Sequence, residues 1–243
     1  MSLAGALLKT IDRPREAMAE VAQRARSWWL PAILLVISMS VLAWFSAPYQ
    51  IELANERSAQ IIERVTANMP EDQARLMRES AREMSLPTYM AGAVGAGLAV
   101  AALGWVARGA LVHFSSMAAG GTSTWGPTFA TCVWSMLPFF VRDLVQTAYV
   151  LMYGRVAEHQ GLAFLVASGD LLEDSLNTLY SLMANLDPFA LWHIVLLAVA
   201  IAVATKISRG KAFVMAVVVW GLFLGLKLLP VVFGRMATQS FLG

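Results

Sequence analysis

Five stretches of this chain stay apolar for about 20 residues, the length an α-helix needs to cross the hydrocarbon of a bilayer. They are residues 28–47, 87–107, 128–153, 186–205 and 212–233. The first, WWLPAILLVISMSVLAWFSA, carries no charge at all. Inside hydrocarbon the backbone must satisfy its own hydrogen bonds, so each stretch predicts a helix. Composition agrees, because 58% of the 243 residues are hydrophobic and 14% are charged, against about 45–50% and about 25% in soluble domains. A soluble domain of this length cannot hide that much apolar surface in one core, and disorder needs the opposite balance. The expected fold class is all-α: a multi-pass transmembrane helical bundle with five spans and an external helical hairpin. The first span is too long and too far from the terminus for a signal peptide, and no A-x-A pattern follows it, so it is expected to stay in the mature chain.

Several function classes fall away. The net charge is +2 and the 18 basic residues are scattered singly, unlike the clustered basic face of a nucleic-acid binder. A single cysteine, Cys132, excludes an intramolecular disulfide and a thiolate metal cluster. His113, His159 and His193 fall in different segments, so no metal-ligand spacing exists and no metal or cofactor is expected. There is no H-E-x-x-H, G-x-S-x-G or Walker sequence. Ser135 and His193 are the one pair that could meet within the membrane as nucleophile and base; a serine facing a neighbouring helix is far commoner. The chain is read as a non-enzyme.

The segments between spans divide the chain. Residues 1–27 form an N-terminal segment, 28–233 the five-span membrane domain and 234–243 a tail. Pro14 disfavours a helix running through it, so a helix is expected to start there, with Ala17, Met18, Val21, Ala22 and Ala25 on one face. That pattern suits an amphipathic helix lying on the cytoplasmic membrane surface and leading to Trp28 and Trp29 as interfacial anchors. Between the first two spans, residues 49–86 place Ile51, Ala54, Ile61, Ile62 and Val65 among charges at helical spacing. Pro70, Glu71 and Asp72 then mark a second helix start, with the helical pattern continuing over 73–84. An external helical hairpin follows, able to reach a partner or to lie as a solvated connector. Lys and Arg set the orientation. The segments 1–27, 108–127 and 206–211 hold nine basic residues in 53 positions, and 48–86, 154–185 and 234–243 hold seven in 81. The N-terminus is therefore expected in the cytoplasm and the C-terminus outside.

Ionisable residues within spans are costly and usually face a bundle interior or a water-filled cavity. Arg142, Asp143, His193 and Lys227 come out at a common depth slightly outside the middle of the third, fourth and fifth spans. An Asp143–Lys227 pair is expected, with Arg142 projecting elsewhere on its helix. The cluster reads either as a charge pair that holds the bundle together or as a proton, ion or headgroup site between those spans. Gly92 and Gly95 in the second span and Gly221 and Gly225 in the fifth let helix backbones approach closely. They are assigned to packing within the chain, with homo-oligomerisation as the alternative. Pro138 lies mid-span, four residues before Arg142, so the carbonyl of Trp134 is expected to lose its helical donor at a kink.

In this order on five spans, RPREAM, MPEDQARL, GGTSTWGPTFATCVWSMLPFF, LDPFALWHIVLLAVA and ATKISRGKAF resemble the Yip (Ypt-interacting protein) family of membrane domains, in its prokaryotic form. The resemblance covers about residues 13–233. It implies a cytoplasmic N-terminus, five helices and a non-enzymatic role. Eukaryotic members of that family bind small GTPases and shape vesicle membranes, whereas prokaryotic ones look like accessory partners of transport systems, including ABC-type exporters. It transfers no catalytic or binding residue, and the short N-terminal region here departs from the GTPase-binding pattern. The chain is thus expected to be an integral accessory or scaffold protein of a prokaryotic cytoplasmic membrane, binding the bilayer and a membrane-protein partner. The alternative is a small transporter or channel using Arg142, Asp143, His193 and Lys227.

Overall fold

The computed structural model describes residues 3–67, 69–122 and 124–242. Among these there is no strand. Helix α1 covers Leu3–Asp12 and α2 Pro14–Gln23, followed by a 3-10 turn at Ala25–Trp28 and then α3, Trp29–Thr66. After α4 (Glu71–Ser80) the second span starts as α5 (Leu86–Met90), widens into a π-helical turn at Ala91–Ala96 and continues as α6 (Gly97–Ala118). The third span is split into α7 (Trp125–Trp134) and α8 (Leu137–Tyr153). Short helices α9 (Leu171–Leu176) and α10 (Thr178–Ala184) precede the fourth span, α11 (Pro188–Thr205), and the fifth, α12 (Arg209–Leu242). Among the described residues five helical segments are long and apolar enough to cross a membrane, as the hydropathy pattern predicts.

Helix α11 occupies the centre. It packs against α2, α6, α7, α8 and α12. One side puts Ile194, Leu197 and Ile201 into a core with Val112, Cys132 and Val219. The other puts Leu196 and Ala200 against Trp134, Met18 and Val21. This second cluster corrects the reading of α2. The helix starts at Pro14, but its apolar face (Ala17, Met18 and Val21) is buried on α7 and α11 rather than laid on lipid. The physical reason is that α7 and α11 leave an apolar groove that α2 fills. The exposed apolar side chains belong instead to α1, at Leu8 and Ile11. Helix α1 is tied back to α2 where Lys9 Nζ donates to Glu20 Oε1 at 2.6 Å.

The extramembrane hairpin forms, with different limits from those expected. Helix α3 runs without a break through Pro48. Its 38 residues measure about 57 Å, nearly twice the ~30 Å hydrocarbon thickness, so its C-terminal half projects beyond the span. Helix α4 then folds back, and Arg78 Nη2 donates to Thr66 Oγ1 at 3.2 Å. It ends at Ser80 rather than Met84. There the chain turns extended, and the Met84 amide donates to Asn55 Oδ1 at 2.7 Å, so the returning segment is fastened to α3. A second fastening joins α3 to the segment after α8: Arg64 Nη2 donates to Asp170 Oδ2 at 2.7 Å. Asp170 also caps α9, accepting from the amides of Leu172 and Glu173. These amide bonds, foremost that of Glu173, and the Arg64 guanidinium hold its carboxyl below the usual aspartate range.

The four glycines behave differently from the packing expected of them. A Cβ built on Gly92, Gly95, Gly221 or Gly225 would meet nothing within 4 Å. No neighbouring helix packs against the side on which a side chain would stand. Gly92 and Gly95 fall in the π turn, and Gly221 and Gly225 lie on the outer face of α12. They therefore do not serve close helix contact within this chain.

Candidate functional site

The break in the third span sets the local geometry. Pro138 does not kink a continuous helix; it sits in the first turn of a new one, α8, after two turn residues, Ser135 and Met136. A proline is well suited to that position, because it has no amide hydrogen to leave orphaned. The interrupted ladder frees backbone carbonyls, and α11 supplies a donor to one of them. His193, fully buried, donates from Nδ1 to the carbonyl of Ser135 at 2.8 Å. The carbonyl so captured is one residue on from the Trp134 carbonyl expected from sequence. Ser135 Oγ donates to the Cys132 carbonyl, so Ser135 and His193 meet through a backbone oxygen and make no nucleophile–base hydrogen bond.

Beside this break a cavity of about 620 Å³ lies between α3, α6, α8 and α12. Its walls are mostly apolar, formed among others by Leu35, Met39, Leu98, Trp105 and Phe223. Its polar lining is Arg108, Arg142, Asp143, Gln146, Asn185 and Lys227. The structure thus brings Arg142, Asp143 and Lys227 to one space, and leaves His193 behind Phe139, its ring 4.9 Å from the phenyl. A smaller cavity of about 230 Å³ shares Met39, Leu42 and Gln146 with the first and leads toward Gln50, Tyr89 and Gln160.

The pairing within the cavity differs from the expected one. Asp143 Oδ2 accepts from Ser38 Oγ of α3 at 2.8 Å, and Arg142 Nε stands 3.9 Å from Asp143 Oδ1. Arg142 Nη1 reaches Asp187 Oδ2 at 3.6 Å while its guanidinium lies 4.8 Å over the Phe139 ring. Lys227 makes no ion pair with Asp143. Its Nζ donates to Asn185 Oδ1 at 3.4 Å, within electrostatic reach of Asp187. Asn185 and Asp187 stand at the N-terminal end of α11, where Asp187 Oδ1 accepts from the Ala190 amide at 2.6 Å as the helix cap. The cluster therefore extends from Ser38, near the middle of the first span, to the N-terminal end of α11 on the hairpin side.

The sequence places Arg108 in a cytoplasmic flank, because the apolar count of the second span is met by Ala107. Helix α6 in fact continues to Ala118, which places Arg108 within the span. It is buried at 9% exposure. Its Nη1 donates to Met136 Sδ at 3.1 Å, its guanidinium stacks 4.4 Å over Phe223, and its Nε finds no acceptor. The signal that could have found it is the apolar run ALVHF directly after Gly109. Ser38, Asn185 and Asp187 were missed for a different reason, since only the folded chain brings them to the cluster. Among the described residues no group of His, Cys, Asp or Glu could hold a metal ion.

The model of the Yip1 domain family matches residues 8–229. The chain belongs to the Yip1 domain family. The match runs from α1 through four spans and well into the fifth of this Yip1-domain protein, and takes in the hairpin and every residue that lines the cavity. No curated protein and no solved structure matches the chain.

Proposed function

We propose that this Yip1-domain protein is a non-enzymatic accessory or scaffold protein of a prokaryotic cytoplasmic membrane. Its α3–α4 hairpin docks a membrane-protein partner, such as an ABC-type transport complex. The observation that carries this reading is the apolar surface exposed on the hairpin beyond the hydrocarbon: Ile61, Val65, Met69, Leu76 and Met77, with Leu76 at 62% exposure. Outside the bilayer such a surface has no lipid to cover it, and exposed apolar patches rimmed by charge are the usual mark of protein contact. The hairpin is also held in place by Arg64–Asp170 and Asn55–Met84, which lowers the ordering cost of docking.

Orientation follows from charge. Lys9, Arg13, Arg15, Arg24, Arg26, Lys206, Arg209 and Lys211 lie in short segments on the side away from the hairpin, which supports a cytoplasmic N-terminus and an external hairpin and C-terminus. A small transporter or channel draws less support, since His193 lies outside the cavity that would be its pathway.

Mild-detergent purification of the tagged chain from its native membrane, with mass spectrometry, tests the docking. Recovery of a stoichiometric membrane partner that is lost in Leu76→Glu, with the fold of the variant intact, is the expected result. Recovery of the chain alone overturns it.

A further inference from the structure

The cavity carries more positive charge than its own residues compensate. Arg142 has both Asp143 and Asp187 within 4 Å. Neither Arg108 nor Lys227 has a carboxylate within 4 Å among the described residues, and the Asp187 that Lys227 senses is shared with Arg142; Arg108 reaches a thioether sulfur and a ring, Lys227 an amide oxygen. Three cations against two carboxylates leave one formal positive charge. A thioether is a weak acceptor, and an uncompensated guanidinium at membrane depth is expensive. An anion that completes the set removes that cost.

The rest of the cavity describes what the anion is attached to. Val100 and Leu226, at its rim, are 69% and 60% exposed and sit near the middles of the second and fifth spans. The mouth between α6 and α12 therefore faces the hydrocarbon of the bilayer rather than water. The walls below the charges are Leu, Val, Met, Trp and Phe. An amphiphile already in the bilayer moves sideways through this mouth with its chains remaining in an apolar medium.

We propose that this cavity binds an anionic phospholipid of the hairpin-side leaflet. Arg108, Arg142 and Lys227 hold its phosphodiester, Asn185 lies beside Lys227, and the acyl chains lie along the mouth between α6 and α12. The single surplus charge matches a headgroup whose only net charge is the phosphodiester. The zwitterionic headgroup of phosphatidylcholine would bring a cation into a site that already has one too many.

The test is native mass spectrometry of the full-length protein in detergent, titrated with dioleoylphosphatidylglycerol or dioleoylphosphatidylcholine, with glycerol phosphate as the chain-free anion. Phosphatidylglycerol is expected to be retained about fivefold more tightly per uncompensated cation than phosphatidylcholine. Lys227→Gln and Arg108→Gln should each remove about that factor, and Arg155→Gln, an exposed arginine on the same side, should not. Equal retention of the two lipids by the unaltered protein overturns the proposal, and this comparison needs no variant to fold. So does a preference that survives both substitutions, which would place the headgroup elsewhere. Displacement of phosphatidylglycerol by equimolar glycerol phosphate would mean that the site reads a free anion and not a lipid.

Discussion

His193 occupies a position that sequence reasoning treats as a candidate for chemistry and that the folded chain uses to repair a helix. Its Nδ1 hydrogen serves the Ser135 carbonyl freed where α7 stops, and the imidazole is fully enclosed. Truncating it removes both a buried hydrogen bond and the packing of a ring. His193→Ala is expected to destabilise the protein by about 2–4 kcal/mol, read as a lowered midpoint of thermal unfolding in detergent. An unchanged midpoint would mean that the Ser135 carbonyl finds another donor at no cost. Arg108 shows the opposite error. A charge at the end of 20 apolar residues reads as the membrane boundary, and only the contacts with Met136 and Phe223 reveal that it lies inside.

At the scale of elements, the hairpin is a continuation of the first span rather than a separate unit. Charged residues at helical spacing after Pro48 predict a helix there, and one forms; that it is the same helix depends on Pro48 being tolerated within α3. The contact between this rod and the loop before α11 rests on Arg64 and Asp170, both about half exposed. Arg64→Ala is expected to cost less than about 1 kcal/mol yet to raise hydrogen exchange over residues 168–174, leaving α11 unaffected. The contact also depends on pH. Folding favours the charged carboxylate of Asp170, so its contribution is present at neutral pH and fades as the pH falls through and below the ordinary aspartate value of about 4. A spin-label distance between residue 80 and the exposed residue 165 should be constant from about pH 6 to 8 and broaden below about pH 4. A distance that changes near neutral pH would point to a different group. The open faces at Gly92, Gly95, Gly221 and Gly225 belong to this scale too: small-residue spacing in a sequence cannot state whether the facing surface is another helix, a second copy or lipid.

For the whole molecule, five spans place the two ends on opposite sides, and the proposed orientation rests on the basic segments. Alkaline phosphatase fused after residue 243 is expected to be active, and the same enzyme fused after residue 208 of a truncated chain inactive. The reverse pattern would invert the orientation. The hydropathy of the chain by itself determined that there are five spans, that they are helices and roughly where each begins, because hydrocarbon thickness and backbone satisfaction act on consecutive residues. The resemblance to Yip domains was likewise legible in linear order, and the match over residues 8–229 bears it out. What surrounds each charge was decided by tertiary structure alone. Ser38 and Asp143 are 105 positions apart and His193 and Ser135 are 58 apart. Lys227 took Asn185 rather than Asp143, and α2 took the bundle rather than the lipid. Such outcomes follow from the rotation, tilt and offset of whole helices against one another, and each helix offers several faces apolar enough to be turned inward.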